Sequence, residues 1–361
     1  MKKFLFLMAA FVVAICAKAQ KIEVVDSDGN GVPYAIVLTP EAECLGSTGL
    51  DGVFADVKGA KAVTISHVAF KPKDVRLDGK DVRVTLEDAD FALDEITVSP
   101  KPFVYVQTYY RLFFYDDKHG IVYYRIGLTD NIYNSKTKKL KSSTRHFSTG
   151  SKGAITKIID TLLGWGFDKL SEIRTKKIEE SLAEKHKDIQ LKIIQTSPGH
   201  WLVNDIKGTV GTITDDKQTG WRQFAVDSDL MRRHRLEAKG KKKEKALQKM
   251  ADKRTENEVK SEFIIYHIDE DGNYSPEDFM MSEFNDTFDY EYKGEKLHCI
   301  SGYQMFSTDR AYVTKEELKE RQKANKQQKL SYQDIQHFER KNNITALAPV
   351  VGQAIEKLPK K

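Results

Sequence analysis

Apolar and polar positions alternate with a period of two through the first part of the chain. In KIEVVD, Ile22 and Val24 share a face, and PYAIVL, GVFADV, AVTISHVAF, DVRL and DVRVTLE follow as short runs rich in β-branched residues. Asp28-Gly29, Asp51-Gly52, Gly59 and Asp78-Gly79 punctuate them as turns. This spacing predicts an all-β antiparallel sandwich over residues 20–90. Its expected core is Ile22, Val24, Ala35, Val37, Phe54, Val63, Ile65, Val75, Val82, Val84 and Leu86.

SPKP (Ser99–Pro102) closes a linker over 91–102, because each proline restricts itself and its predecessor. Beyond it the pattern is mixed and predicts an α+β region over 103–361, as one large domain or two small ones. FVYVQTYYRLFFYDD is ambiguous: its aromatics fall at helical spacing, while its composition favours a strand. GIVYYRIGLTDNIY and KKLKSSTRHFST read as paired strands. AITKIIDTLLGWG and KIEESLAEKHKD read as helices; IQLKIIQ, HWLVND, GTVGTIT and WRQFAV as strands, with TDDKQTG a hairpin turn. A basic helical stretch follows over 230–254, then strands at EFIIYHI, FDYEY and KLHCISGYQMF. TKEE (Thr314–Glu317) is a capping box opening a helix, and SYQDIQHFERKN and PVVGQAIEKL read as two more.

The sandwich residues also carry a resemblance. VVDSDGNGVPYAIV, GSTGLDGVF, ISHVAFK and LDEITV are similar to the carboxypeptidase-regulatory-like domain, a small transthyretin-like β-sandwich of bacterial envelope proteins. The matching positions are Asp26, Gly29, Pro33, Ala35, Val37, Thr48, Asp51, Gly52 and Phe54. The resemblance implies a fold and an envelope setting, and its name confers no peptidase activity. The later region resembles uncharacterised envelope proteins that carry the same first domain. LDEITV after such a sandwich often precedes an outer-membrane plug and barrel, but the residues after Val98 are too few for a plug and 22 strands of ~10 residues.

The extreme N-terminus changes the picture of charge. Lys2 and Lys3, an apolar run from Phe4 to Cys16 and the small-residue site Ala17–Ala19 predict a signal peptide over 1–19 and a mature start at Gln20. Lipidation of Cys16 is the alternative, opposed by the bulky Ile15. Removal of Lys2, Lys3 and Lys18 lowers the formal charge from +5 to +2, so a basic balance does not argue for nucleic acid. The expected location is the periplasm or outer-membrane periphery of a Gram-negative bacterium, with no transmembrane span in the mature chain. Cys44 and Cys299 remain, expected unpaired because they fall in different regions.

Candidate chemistry is sparse. DSDGNG (Asp26–Gly31) matches the opening of a calcium loop, and DEDGNY (Asp269–Tyr274) nearly repeats it. Position 12 is Val37 in the first and Met280 in the second, where a bidentate acid is needed, so both are predicted to be turns. His234-x-x-Glu237 and His267-x-x-Glu270 match a sparse zinc pattern expected about once by chance among nine histidines. His67 reads as a sheet residue. No catalytic, cofactor or metal residue is assigned. Met231–Arg254 holds eleven Lys/Arg against three acids; it reads as a solvated connector, with Arg232, Arg233, Arg235, Lys241, Lys242 and Lys243 as the candidate contact to an anionic lipid surface. The expectation is a non-enzymatic exported envelope protein that binds or assembles, with anionic lipid or another envelope protein as partner. The alternative is a peptidase-like hydrolase with its site in 103–361.

Overall fold

The structure is a computed structural model that describes residues 20–91, 99–150, 173–174, 176–185, 189–216, 219–228, 230–231, 233–234, 259–292, 294–327 and 332–358. Its first part is a two-sheet sandwich. One sheet orders β4 (Val53–Phe54), β1 (Ile22–Val25) and β7 (Val82–Thr85); the other orders β3 (Cys44–Ser47), β2 (Ile36–Leu38), β5 (Ala62–His67) and β6 (Phe70–Arg76). All pairs are antiparallel except β1 with β7, which run parallel from Ile22↔Val82 to Val25↔Thr85. Nine of the eleven expected core residues are buried, and Val75 and Val82 pack against that core half-exposed.

The second part is one antiparallel sheet of ten strands, in the order β10-β9-β8-β17-β16-β15-β14-β13-β12-β11. The ranges are β8 (Phe103–Asp116), β9 (Gly120–Asn134), β10 (Lys139–Gly150), β11 (Lys192–Ser197), β12 (His200–Asn204), β13 (Thr209–Asp216), β14 (Trp221–Asp227), β15 (Val259–His267), β16 (Phe279–Tyr292) and β17 (Glu295–Val313). Two meanders, β8–β10 and β11–β17, are joined where β8 lies against β17 from Phe103↔Val313 to Asp116↔Cys299. The ambiguous aromatic segment is therefore a strand. It is an interior strand, third from the β10 edge, and is buried along almost its whole length, so inward and outward positions are equally apolar and no period of two survives.

Alternation sorts its side chains into two layers. Tyr109, Phe113 and Tyr115 pack with the sandwich and the C-terminal helices; Tyr110, Leu112 and Phe114 pack on the opposite face with Ile178 and Leu182 of α1 (Ile178–Lys185). Helix α2 (Lys315–Gln327) opens as expected: Glu317 N–H donates to Thr314 Oγ1 at 3.3 Å, and Thr314 N–H donates to Glu317 Oε2 at 2.7 Å. Lys101 holds the same Glu317 at 2.9 Å and draws its carboxyl below the usual range, aided by the Thr314 amide. Helices α3 (Tyr332–Lys341) and α4 (Pro349–Glu356) bury Ile335, Val351 and Ile355 in the sandwich-side layer.

Three details depart from the sequence pattern. AVTISHVAF is two strands, because the chain turns at Val68–Ala69 and His67 pairs with Phe70. Cys44–Ser47 is a strand that the pattern did not flag; it is short, and Gly46 and Ser47 dilute it. β16 begins at Phe279, well before FDYEY. The proposed helix AITKIIDTLLGWG lies outside the described residues. Cys44 and Cys299 are both buried and unbridged, in different layers.

Candidate functional site

The two D-x-D-G-N segments adopt the same loop. In the first, Asp26 Oδ1 accepts from the N–H groups of Asp28 (3.0 Å) and Asn30 (2.8 Å), and Asn30 Nδ2 donates to Asp26 Oδ2 at 3.0 Å. In the second, Asp269 accepts from Asp271 N–H (3.0 Å), Asn273 N–H (2.7 Å) and Asn273 Nδ2 (3.3 Å). Gly29 and Gly272 have φ of 85° and 76°, which a side chain would strain. The carboxylate that would open a calcium loop instead holds its own backbone, and these amide donors pull the Asp269 carboxyl below its ordinary range. Both segments are turns. Among the described residues no three His, Cys, Asp or Glu side chains gather in a metal-binding group.

The first loop nevertheless stands at a cleft. Asp26, Asp28, Asn30, Gly31, Pro33 and Leu50 of the sandwich face His200, Thr212, Thr214, Asp215, Asp216, Gln223, Ala225 and Phe263 of the large sheet across a cavity of about 360 Å³. Its charged groups are acidic. Asp215 is held by Arg222 through two hydrogen bonds of 2.6 and 2.8 Å, and Asp216 accepts from Thr219 Oγ1 at 2.7 Å. The carboxyl of neighbouring Asp88 is raised, first by partial burial and then by the negative charges of Asp216, Asp26 and Asp28. The sequence named the Asp26 loop but not its partners, which lie on strands about two hundred positions away.

A second polar assembly is buried where the sandwich meets the sheet. Val68 N–H donates to Glu283 Oε2 at 3.3 Å, and Gln304 Nε2 donates to Glu283 Oε1 at 2.6 Å. Arg111 Nε donates to Gln304 Oε1 at 2.6 Å, and Arg111 Nη2 to the Thr345 carbonyl at 2.6 Å. Thr345 Oγ1 then donates to the Val68 carbonyl at 2.6 Å. These bonds form a closed ring from Val68 back to Val68 through sandwich, sheet and C-terminal segment. Glu339 braces it, accepting from Tyr109 OH (2.6 Å) and Arg111 Nη1 (3.2 Å). Burial pushes the Glu283 carboxyl up to about 7 despite the donors around it. His67, next in the chain to Val68, is buried between Phe70 and Phe263 and drawn down to about 3 by desolvation. It accepts the Ala69 N–H through Nδ1 at 3.2 Å and is a structural sheet residue, as expected.

The remaining sequence candidates are dispersed. His234 Nδ1 lies 2.5 Å from Asp205, and Glu237 is outside the described residues. His267 ends β15 and pairs with Trp221, with Glu270 in the exposed turn beyond. Of the six cations proposed for an anionic surface, Arg233 is exposed; Arg232, Arg235, Lys241, Lys242 and Lys243 lie outside the described residues. No described helix is long and apolar enough to cross a membrane.

No family model matches the chain, and no curated protein matches it. A solved structure described as "lipid-protein interactions in lipovitellin" is similar at 10% identity over 59% of this chain and 26% of that one, with a TM-score of 0.27. The chain thus spans about a quarter of that structure's length, and so loose a superposition carries no argument about fold or ligand.

Proposed function

We propose that the protein is an exported, non-enzymatic binding and assembly module of the cell envelope, acting at the membrane or cell surface. The observation that carries this reading is the state of three of the four carboxylates that line the cleft. Asp26, Asp215 and Asp216 are engaged by an Asx loop, an arginine and a hairpin threonine. A general base must reach a substrate proton within hydrogen-bond distance, and carboxylates already committed in this way are poorly placed to do so. What they supply is a fixed acidic field, which suits recognition. The buried ring around Val68 supports the same view, because it ties the sandwich to the sheet that floors the cleft.

The leader-like N-terminus and the resemblance of the first domain support the envelope setting. The proposed partner class is another envelope protein or an anionic lipid surface. Cell fractionation with mass measurement of the mature N-terminus tests the address, with Gln20 expected. Incubating the purified mature chain with peptide and glycan mixtures tests the activity. Intact substrates are expected; turnover lost on His200→Ala or Asp28→Asn would establish the hydrolase alternative instead.

A further inference from the structure

The large sheet has two edges, and they are treated differently. β10 is tied to the end of α2, since Arg145 Nη1 donates to the Asn325 carbonyl at 2.6 Å. β11 pairs only with β12 among the described residues, and all six of its residues are exposed. Two of the three large apolar side chains exposed on the described chain, Ile193 and Ile194, stand on it, with relative exposures of 36% and 46%. A sheet edge offers a row of unpaired N–H and C=O groups, and native proteins ordinarily blunt it with charge, proline or a cover. Lys192 is the only charged residue of β11, and the register shift between Gln195 and Ser197 affects only its end.

This edge adjoins the acidic cleft. Ile194 lies opposite Leu202, and Leu202 lies opposite Thr212, which lines the cleft. Residues directly opposite in a ladder share a face, so Ile194 stands on the cleft's face, two strands or about 10 Å from its floor. An occupant paired with β11 would therefore extend the sheet that floors the cleft, and its side chains on that face would lie under the field of Asp26, Asp28, Asp88 and Asp216.

We infer that β11 is a docking edge for an extended, lysine- or arginine-bearing polypeptide segment of a partner protein, which adds as an eleventh strand with its basic side chains directed toward the acidic cleft. The inference rests on the binding-module reading and names the partner chemistry for it. Main-chain pairing supplies affinity in this mode, and alternate side chains supply selectivity. Consecutive strand residues face opposite sides, so the segment's apolar positions cover Ile193 on the far face and its basic positions stand on the cleft face with Ile194. Charge complementarity with the cleft excludes acidic sequences.

The test uses the mature chain and two fluorescent nonapeptides, one alternating lysine with valine and the other glutamate with valine. It follows anisotropy, amide hydrogen exchange and the mass of the probe. The lysine probe is expected to bind and to slow exchange in Lys192–Ser197, with the glutamate probe at least tenfold weaker. Ile194→Lys should remove the protection, and Asp28→Asn with Asp88→Asn should weaken binding roughly tenfold, since neither exposed carboxylate has a structural role in the cleft. Equal binding of both probes, or binding without protection of β11, would overturn the inference. So would a concentration-dependent dimer that protects β11 in the absence of probe. An intact but unbound lysine probe would overturn the inference alone, whereas a cleaved probe would overturn the binding reading itself.

Discussion

Asp26 and Asp269 show how far a local pattern can be trusted. Each carries a calcium-like spacing, and each uses its carboxylate to cap the loop that the spacing creates. Asp269→Ala is expected to lower the thermal midpoint by a few degrees, while added calcium leaves the midpoint of the parent chain unchanged. Because the Asp269 carboxyl is drawn down in the folded state, its contribution is present above the ordinary carboxylate range and lost as pH falls through it. His67 and Glu283 give a sharper pH signature. Glu283 is raised from 4.5 to about 7, so the folded state binds the extra proton and stability falls as pH rises through that window. The ionised form carries a penalty on the order of 3 kcal/mol above it. His67 is lowered from 6.5 to about 3, so stability falls as pH drops through that window. Between about 4.5 and 6.5 the two slopes oppose each other and the profile is flat. His67→Asn, which keeps an acceptor for Ala69 N–H, should expose the decline toward alkaline pH. Glu283→Gln should expose the decline toward acid. Urea denaturation from pH 4 to pH 8 reads both; parallel profiles in the two variants would refute the assignment.

At the scale of elements, β1 and β13 were legible because they mix buried and wetter positions. β9, buried on both faces, was legible from its β-branched and aromatic content alone, and the Thr314 capping box because cap and partner are three residues apart. Thr314→Ala should cost about 1 kcal/mol, read as a lower denaturation midpoint with an unchanged slope. What was hidden has physical causes. β8 is buried on both faces, so its period vanishes. The β5–β6 hairpin turns within an unbroken apolar run, Val68 to Phe70, that carries no glycine or proline. The acidic cleft and the Val68 ring were invisible because their members come from distant segments: Glu283 meets Val68 across 215 positions, and Arg111 meets Thr345 across 234. Only the pairing of β8 with β17 brings Arg111 to Gln304.

The whole molecule is a small sandwich fastened to a broad antiparallel sheet, with the C-terminal segment closing the joint. The joint is polar and buried, which makes it a specific fastening: removing one member leaves other groups desolvated without partners. Arg111→Leu strips donors from Gln304, Glu339 and the Thr345 carbonyl together, and a loss of about 3–5 kcal/mol is expected. Limited proteolysis should then open the segment around Thr345 first. The acidic cleft and the β11 edge keep their mutual geometry only while this joint holds, so the binding role proposed for them depends on sandwich and sheet behaving as one body. Differential scanning calorimetry of the mature chain at pH 6 measures that dependence directly. A single transition, with calorimetric and van't Hoff enthalpies in agreement, is predicted, and Arg111→Leu should split it in two. Two independent transitions in the parent chain would contradict the account.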